Sequence, residues 1–322
     1  MKAEFLEGRT VLITGGTGSF GKTILERLVK SHVRQIRVFS RDEAKQDQLR
    51  DQYSDQRGRV DFVTGDVRDL SSLRNAMEGA DYVFHAAALK QVPNCERFPM
   101  EAVRTNVLGA ANLLQAVNDC MPLGVVAIST DKAVEPLNVM GLTKALMERI
   151  VLSRTSRRHS KVVAVRYGNV VGSRGSVIPL FLGHIAAERP LPVTHPDMTR
   201  FLFCLQDSVD LVLKAVNLGR DGELWVKKMP SSTVMTIAEA CLKLRGAHLP
   251  IETVGVRPGE KMHEILVSVD EMSRAREDVE HFVISPDRQE HSSKEPHEYS
   301  SANTERLGVD QVVELMLKAG LT

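Results

Sequence analysis

The sequence predicts an α/β fold: a doubly wound parallel sheet with helices on both faces, followed by a smaller α/β lobe. Three observations predict it. Short apolar runs alternate with amphipathic stretches through the first half of the chain. The apolar runs are strand-length and nearly continuous, as strands covered on both faces are. A glycine-rich turn joins the first run to the first amphipathic stretch. Strand–helix alternation of this kind builds parallel sheets, because each parallel crossover needs a helix.

Residues 10–14 read as the first strand and 22–31 as the first helix. Residues 36–40 form the next strand, followed by a charged helix over 42–53. Further buried strands are predicted at 60–64, 82–85 and 125–129, separated by helical patterns at 70–77 and 100–119. A long helix is predicted over 140–159 and a strand at 161–166. Beyond that, Pro179, Pro190, Pro192 and Pro196 break the pattern; helices return at 207–217, 236–244 and 310–319. Residues 286–301 are polar and read as a surface loop or a partly mobile tail. Trp225 reads as core or interface. The division is therefore 1–166 for the sheet lobe and 167–322 for a substrate lobe, with an interleaved boundary.

Lysine plus arginine number 42 and aspartate plus glutamate 41, a formal net charge of +1. That balance supplies no general attraction to nucleic acid or a membrane surface. No run reaches the roughly 20 apolar residues needed to cross a bilayer, and no signal-peptide pattern precedes the first strand. Cys95, Cys120, Cys204 and Cys241 show neither metal spacing nor a disulfide framework. A reducing cytoplasm is the expected location. The histidines show no ligand spacing, so no metal is expected.

The glycines of the first turn fall at Gly15, Gly18 and Gly21, with Thr17, Ser19 and Phe20 between them. Gly15 allows the tight turn, Gly18 lets a pyrophosphate approach the backbone, and Gly21 lets helix and strand pack closely. The helix N-terminus offers N–H groups and a positive dipole end to the phosphates. This is the Rossmann pattern. The second strand ends in Ser40 and Arg41, a hydroxyl and a guanidinium fork suited to a 2′-phosphate, with Lys45 one turn into the helix. NADP is the expected cofactor. Asp42 is the argument for NAD, since one register slip would put its carboxylate on the ribose. Asp66, with Val67, suits an adenine-edge contact or a cap on the next turn. Ala86, Ala87 and Ala88 leave room for a cofactor or pack tightly at a strand end.

The stretch from Ser129 to Lys144 starts at a strand's C-terminal end, where open α/β sheets place ligands. It carries Thr130, Asp131 and Lys132, then Met140-Gly-Leu-Thr-Lys144. This resembles the Ser/Thr and Tyr-x-x-x-Lys pattern of extended short-chain dehydrogenases, with methionine where tyrosine stands. The wider string resembles the inverting UDP-N-acetylglucosamine 4,6-dehydratases of bacterial glycan synthesis, of which one capsular branch also has methionine. Residues 87–93, 166–177, 198–201 and 257–261 continue the likeness, which reaches about Ser301.

The resemblance implies an NADP-dependent reaction on a UDP-linked amino sugar: oxidation at C4, loss of the 6-hydroxyl and the C5 proton, reduction at C6, and inversion at C5. It implies Asp131 as the acid at the 6-hydroxyl and Lys132 as the base at C5. A lysine base must be neutral, so its pKa must fall. Lys144 is implied to hold the nicotinamide ribose. Met140 cannot accept the 4-hydroxyl proton; Lys144, Asp131 or a bound water are the candidates. The cofactor lining extends to Lys90, Asn106, Ser129, Tyr167, Asn169 and Val170.

For the substrate, Arg200 and Arg257 suit a diphosphate. Glu260 suits the uridine ribose, and Asn169 a phosphate or the N-acetyl group. Ser176, Val177, Thr194 and Lys90 complete the expected contacts. A UDP-sugar 4-epimerase, a 5,6-dehydratase and a catalytically silent nucleotide-sugar binding protein are the rivals. Relatives suggest a homo-oligomer, a dimer or a hexamer.

Overall fold

The computed structural model describes residues 4–153, 159–173, 175–287 and 296–321. Strand β1 (Thr10–Thr14) is buried at every position. It is followed by β2 (Gln35–Ser40), β3 (Val60–Thr64), β4 (Tyr82–His85), β5 (Gly124–Ile128) and β6 (Lys161–Arg166). The later strands are β7 (Asn169–Val170), β8 (Leu191–Val193), β9 (Thr199–Phe203), β10 (Leu224–Lys227), β11 (Ser231–Thr233), β12 (Ile251–Thr253), β13 (Ile265–Val267), β14 (Ala275–Glu277), β15 (His281–Ile284) and β16 (Tyr299–Ser300). Nine of these form one sheet in the order β14-β15-β10-β6-β5-β4-β1-β2-β3. It is parallel from β10 to β3, while β15 and β14 run antiparallel at the edge. The fold is thus the α/β Rossmann type. Strand order reverses between β1 and β4: β2 and β3 lie on one side of β1, and β4, β5 and β6 on the other. That switch point opens a crevice at the strands' C-terminal ends.

Helices α1 (Ser19–Val29), α2 (Glu43–Gln52) and α3 (Leu70–Met77) lie near their predicted places. The single helix predicted over 100–119 is instead broken up. Short helices α4 (Val92–Arg97) and α5 (Pro99–Ala102) lead into a π-helical stretch, Val103–Leu108, and then α6 (Gly109–Cys120). α7 (Val139–Leu152) ends earlier than predicted, and 154–158 lie outside the described residues. Pro179 does not break the chain: it sits in the first turn of α8 (Val177–Ala186), where its missing N–H has no helical acceptor to lose. The remaining helices are α9 (Leu205–Leu218), α10 (Val234–Arg245), α11 (Val269–Met272) and α12 (Val309–Lys318). Of the predicted polar tail, 288–295 lie outside the described residues, and Tyr299–Ser300 pairs as β16 with β13.

Among the described residues, two large apolar cores and one small cluster result. One fills both faces of the sheet and includes Trp225 from β10. The other, built from Val171 onward, packs α8, α10 and α12 together. The chain thus returns from the second half to complete the first half's sheet.

Candidate active site

The site begins with the glycine turn. Gly15 has φ +67°, and a Cβ there would lie 2.7 Å from the backbone nitrogen of Ala87. A Cβ on Gly21 would lie 2.4 Å from the carbonyl oxygen of Gly16. Only glycine lets the turn meet the end of β4 and lets α1 close onto the turn. Thr17 Oγ1 stands 2.7 Å from Ser40 Oγ, tying the turn to the end of β2.

Past β2, Asp42 caps α2 by accepting the backbone N–H of Lys45 at 3.0 Å, and it pairs with the Lys45 ammonium. The carboxylate that argued for NAD is therefore engaged as a helix cap. Arg41 pairs with Asp66 at 3.4 Å, and Arg68 does so at 2.6 Å. Asp66 also accepts the Arg68 backbone N–H. Burial pushes the Asp66 carboxyl up, but the Arg68 hydrogen bonds and both cations hold it below the usual range.

The turn after β5 carries the predicted acid–base pair. Ser129 N–H donates to Val165 carbonyl at 2.7 Å, extending β5 beside β6. Thr130 caps a single 3-10 turn, Asp131–Ala133, and its hydroxyl donates to Asp131 Oδ1 at 2.8 Å. Lys132 Nζ lies 3.1 Å from Asp131 Oδ1 and 3.1 Å from Glu264 Oε1. A Cβ on Gly141 would strike the Lys132 carbonyl at 2.3 Å, so glycine there lets α7 pack against this turn. Asn138 caps α7 through the Gly141 N–H and donates to the Gly259 carbonyl, joining α7 to the segment 257–261.

The electrostatics correct one expectation. Lys132 does not have a lowered pKa. Burial disfavours its charge, but Asp131 and Glu264 outweigh that and hold its pKa above the usual lysine range. Asp131 is pushed up by burial and by the Glu264 charge, against Lys132. Glu264 is held down by Lys132 and Arg200 despite burial. The lysine with a lowered pKa is Lys144, buried and brought to about 8 by desolvation, with Glu148 opposing. Its Nζ donates to the Ile128 carbonyl at 2.5 Å. Met140, one turn before, is buried and packs with Cys95 and Ala102.

All the predicted site residues except Asn106 line one continuous cleft of about 1210 Å³. Asn106 does not line it. Its amide is spent on the backbone of Leu89, at 2.8 and 3.0 Å, and on Thr143 at 3.0 Å, so it shapes the loop after β4. Arg200 lines the cleft but is largely committed: it donates to the carbonyls of Thr199 and Lys261 at 2.8 and 3.0 Å. Arg257 is exposed at the rim, and Glu260 accepts its backbone N–H. Ser176 opens α8 and donates to the Ser173 carbonyl; Thr194 donates to Met198 sulfur.

Six buried side-chain polar atoms have no hydrogen-bond partner among the described residues, and five of them belong to residues lining this cleft: Thr105 Oγ1, Ser129 Oγ, Asp131 Oδ2, Asn169 Oδ1 and Glu264 Oε2. Orphaned polar atoms are costly in a folded protein. Their concentration here, beside the glycine cradle, fits a cleft whose polar groups are satisfied by ligands. Glu264 and Thr105 escaped the sequence reading. The only signal for Glu264 is a carboxylate abutting the apolar run Ile265–Val267.

The family described as polysaccharide biosynthesis protein matches residues 11–286. A Rickettsia felis protein named UDP-glucose 4-epimerase is 45% identical over 327 residues, covering 96% of this chain and 95% of that one. The X-ray structure of Pen from Bacillus thuringiensis has a TM-score of 0.90 at 36% identity, over 98% of both chains. DesIV of Streptomyces venezuelae, a dTDP-glucose 4,6-dehydratase with NAD and TYD bound, shares the fold at 23% identity and a TM-score of 0.72, over 79% of this chain and 86% of that one. By the span of the family match and the identity of its relatives, the chain belongs to the polysaccharide biosynthesis protein family.

Proposed function

We propose that the chain is an inverting nucleotide-sugar 4,6-dehydratase that acts on UDP-N-acetylglucosamine with bound NADP, in polysaccharide or glycan biosynthesis. One observation carries this reading: Asp131 and Lys132 lie side by side at the end of β5, in the same cleft as the glycine cradle and Lys144. A nicotinamide cofactor held by the glycine cradle and Lys144 would supply the hydride chemistry at C4 and C6. The remaining tasks fall to side chains. Lys144, with an amine close to neutrality, takes the O4 proton that Met140 cannot. The C4 ketone acidifies C5. Lys132 removes the C5 proton, and Asp131 protonates O6 as it leaves as water; once C6 is reduced, a proton from solvent is delivered to the opposite face of C5. Arg257 and Glu260, which line the cleft, are assigned to the nucleotide.

Arg41 and Ser40 support NADP, and the bound NAD of DesIV is the reason to test it. Arg41→Ala is expected to weaken NADP by about 10- to 100-fold, the worth of one charged hydrogen bond, and NAD far less. Calorimetry decides, and equal weakening of both removes the 2′-phosphate assignment.

The name of the Rickettsia relative favours a second reading, 4-epimerisation through the same C4 oxidation. Incubation with UDP-N-acetylglucosamine in deuterated water, followed by NMR, separates the two. A new C6 methyl with deuterium at C5 is the expected result. An inverted C4 with an intact 6-hydroxyl sinks the dehydratase in favour of the epimerase, and binding without turnover leaves a silent nucleotide-sugar module.

A further inference from the structure

Glu264 is a buried carboxylate in the cleft to which the scheme above assigns no task. It is 3% exposed and stands directly before β13. Its position is set from the far end of the chain. Its backbone N–H donates to Ser301 Oγ at 2.9 Å, and the Ser301 N–H donates to its carbonyl at 2.8 Å. Ser301 Oγ also lies 2.6 Å from Thr199 Oγ1, the neighbour of Arg200. Held this way, Glu264 brings Oε1 to Lys132 Nζ, while its Oε2 is buried with no partner among the described residues.

The charged groups around Lys132 come from every side of it. Asp131 shares its turn, Arg200 comes from β9, and Glu264 and Lys261 come from the segment before β13, with Glu135 acting on Lys261. An ammonium held between Asp131 and Glu264 cannot take a proton from carbon until it has lost one. Asp131 must keep its own proton for O6. That leaves one acceptor in contact.

We propose that Glu264 takes the ammonium proton of Lys132, a step that rests on the dehydratase reading. The N–H bond breaks with its electron pair left on Nζ, and an O–H bond forms on the Glu264 carboxylate. A cation and an anion become a neutral amine and a neutral acid; no solvent proton and no redox partner is needed. Exclusion of water by substrate favours the transfer, because the neutral pair avoids the desolvation cost of two ions. Removal of the C5 proton then restores the ammonium. Glu264 acts through Lys132 and is a positioning residue.

A purely electrostatic Glu264 makes the opposite prediction. Its charge raises the proton affinity of Lys132. Glu264→Gln would then ease deprotonation, moving the acid limb of the pH profile down with the plateau rate intact. The decisive variants are Glu264→Gln and Glu264→Asp, read by deuterium wash-in at C5, single-turnover nicotinamide reduction, UDP affinity and thermal midpoint. Glu264→Gln is expected to lose about 10²-fold in C5 exchange across the pH range, the scale of one proton-transfer partner. Nicotinamide reduction and UDP affinity should stay near wild type. Glu264→Asp should recover part of the exchange, and it decides the matter if the glutamine variant does not fold. Wild-type exchange in Glu264→Gln, exchange in Glu264→Asp as low as in Glu264→Gln, a lowered acid limb with a full plateau, or equal loss of nicotinamide reduction and UDP affinity overturns the proposal. A wild-type enzyme that oxidises C4 yet washes no deuterium into C5 removes the dehydratase reading itself, and the proposal with it.

Discussion

Lys144 and Lys132 are both buried lysines in one cleft, yet their surroundings drive them in opposite directions. Lys144 has a backbone carbonyl for a partner and, among the described residues, Glu148 as the anion opposing it, so desolvation wins and its pKa is about 8. Below that pH it is an ammonium, and above it a neutral amine able to accept the O4 proton. Single-turnover nicotinamide reduction should therefore climb about tenfold per pH unit on the acid side and level off above about 8. A rate that falls through that range would show that the charged form is the working one. Lys132 has carboxylates on two sides and stays charged, which is why its role as a base requires an acceptor. Met140 packs into the apolar cluster with Cys95 and Ala102 and contributes no titratable group.

At the scale of elements, the acid–base turn depends on how β6, α7 and α11 are joined. Arg166, at the end of β6, donates to both oxygens of Glu148 on α7 at 2.7 and 2.5 Å. It also donates to both oxygens of Glu271 on α11 at 2.7 and 2.8 Å, and to the Leu266 carbonyl. Burial works against the guanidinium, and the two carboxylates reverse that and keep it protonated. Such a cluster is weak evidence for net stability, but breaking it is expensive because charges are stranded. Arg166→Met leaves two buried carboxylates facing each other and should cost about 3–5 kcal/mol in urea unfolding. A loss below about 1 kcal/mol, the scale of an exposed pair, would mean that the carboxylates find other partners. Glu148 also faces Lys144, so the same variant should disturb the pH limb described above.

At the scale of the whole molecule, α7 presents Leu142 and Leu146 one turn apart, 55% and 49% exposed, and the π-helical stretch packed against α7 ends in Leu108, 51% exposed. Adjacent exposed leucines of this kind suit a contact with a second copy, in line with the homo-oligomer expected from the resemblance. Light scattering should find a dimer or larger for the wild type and a monomer for the double variant Leu142→Glu, Leu146→Glu. A monomeric wild type would end that expectation. No helix among the described residues is long and apolar enough to cross a membrane. Local sequence determined the parallel half of the sheet, the glycine cradle, and the Asp131–Lys132 turn. Those features are written in runs, periods and close spacings, and each forms within one strand–helix unit. Tertiary structure alone decided what the distant segments bring together. β10, β14 and β15 return to extend the first sheet, Ser301 fixes Glu264, and Glu264 meets Lys132 across 132 positions of chain. Short strands and a lone carboxylate carry no periodic signal, and the direction of a lysine's pKa depends on which charges the fold places around it.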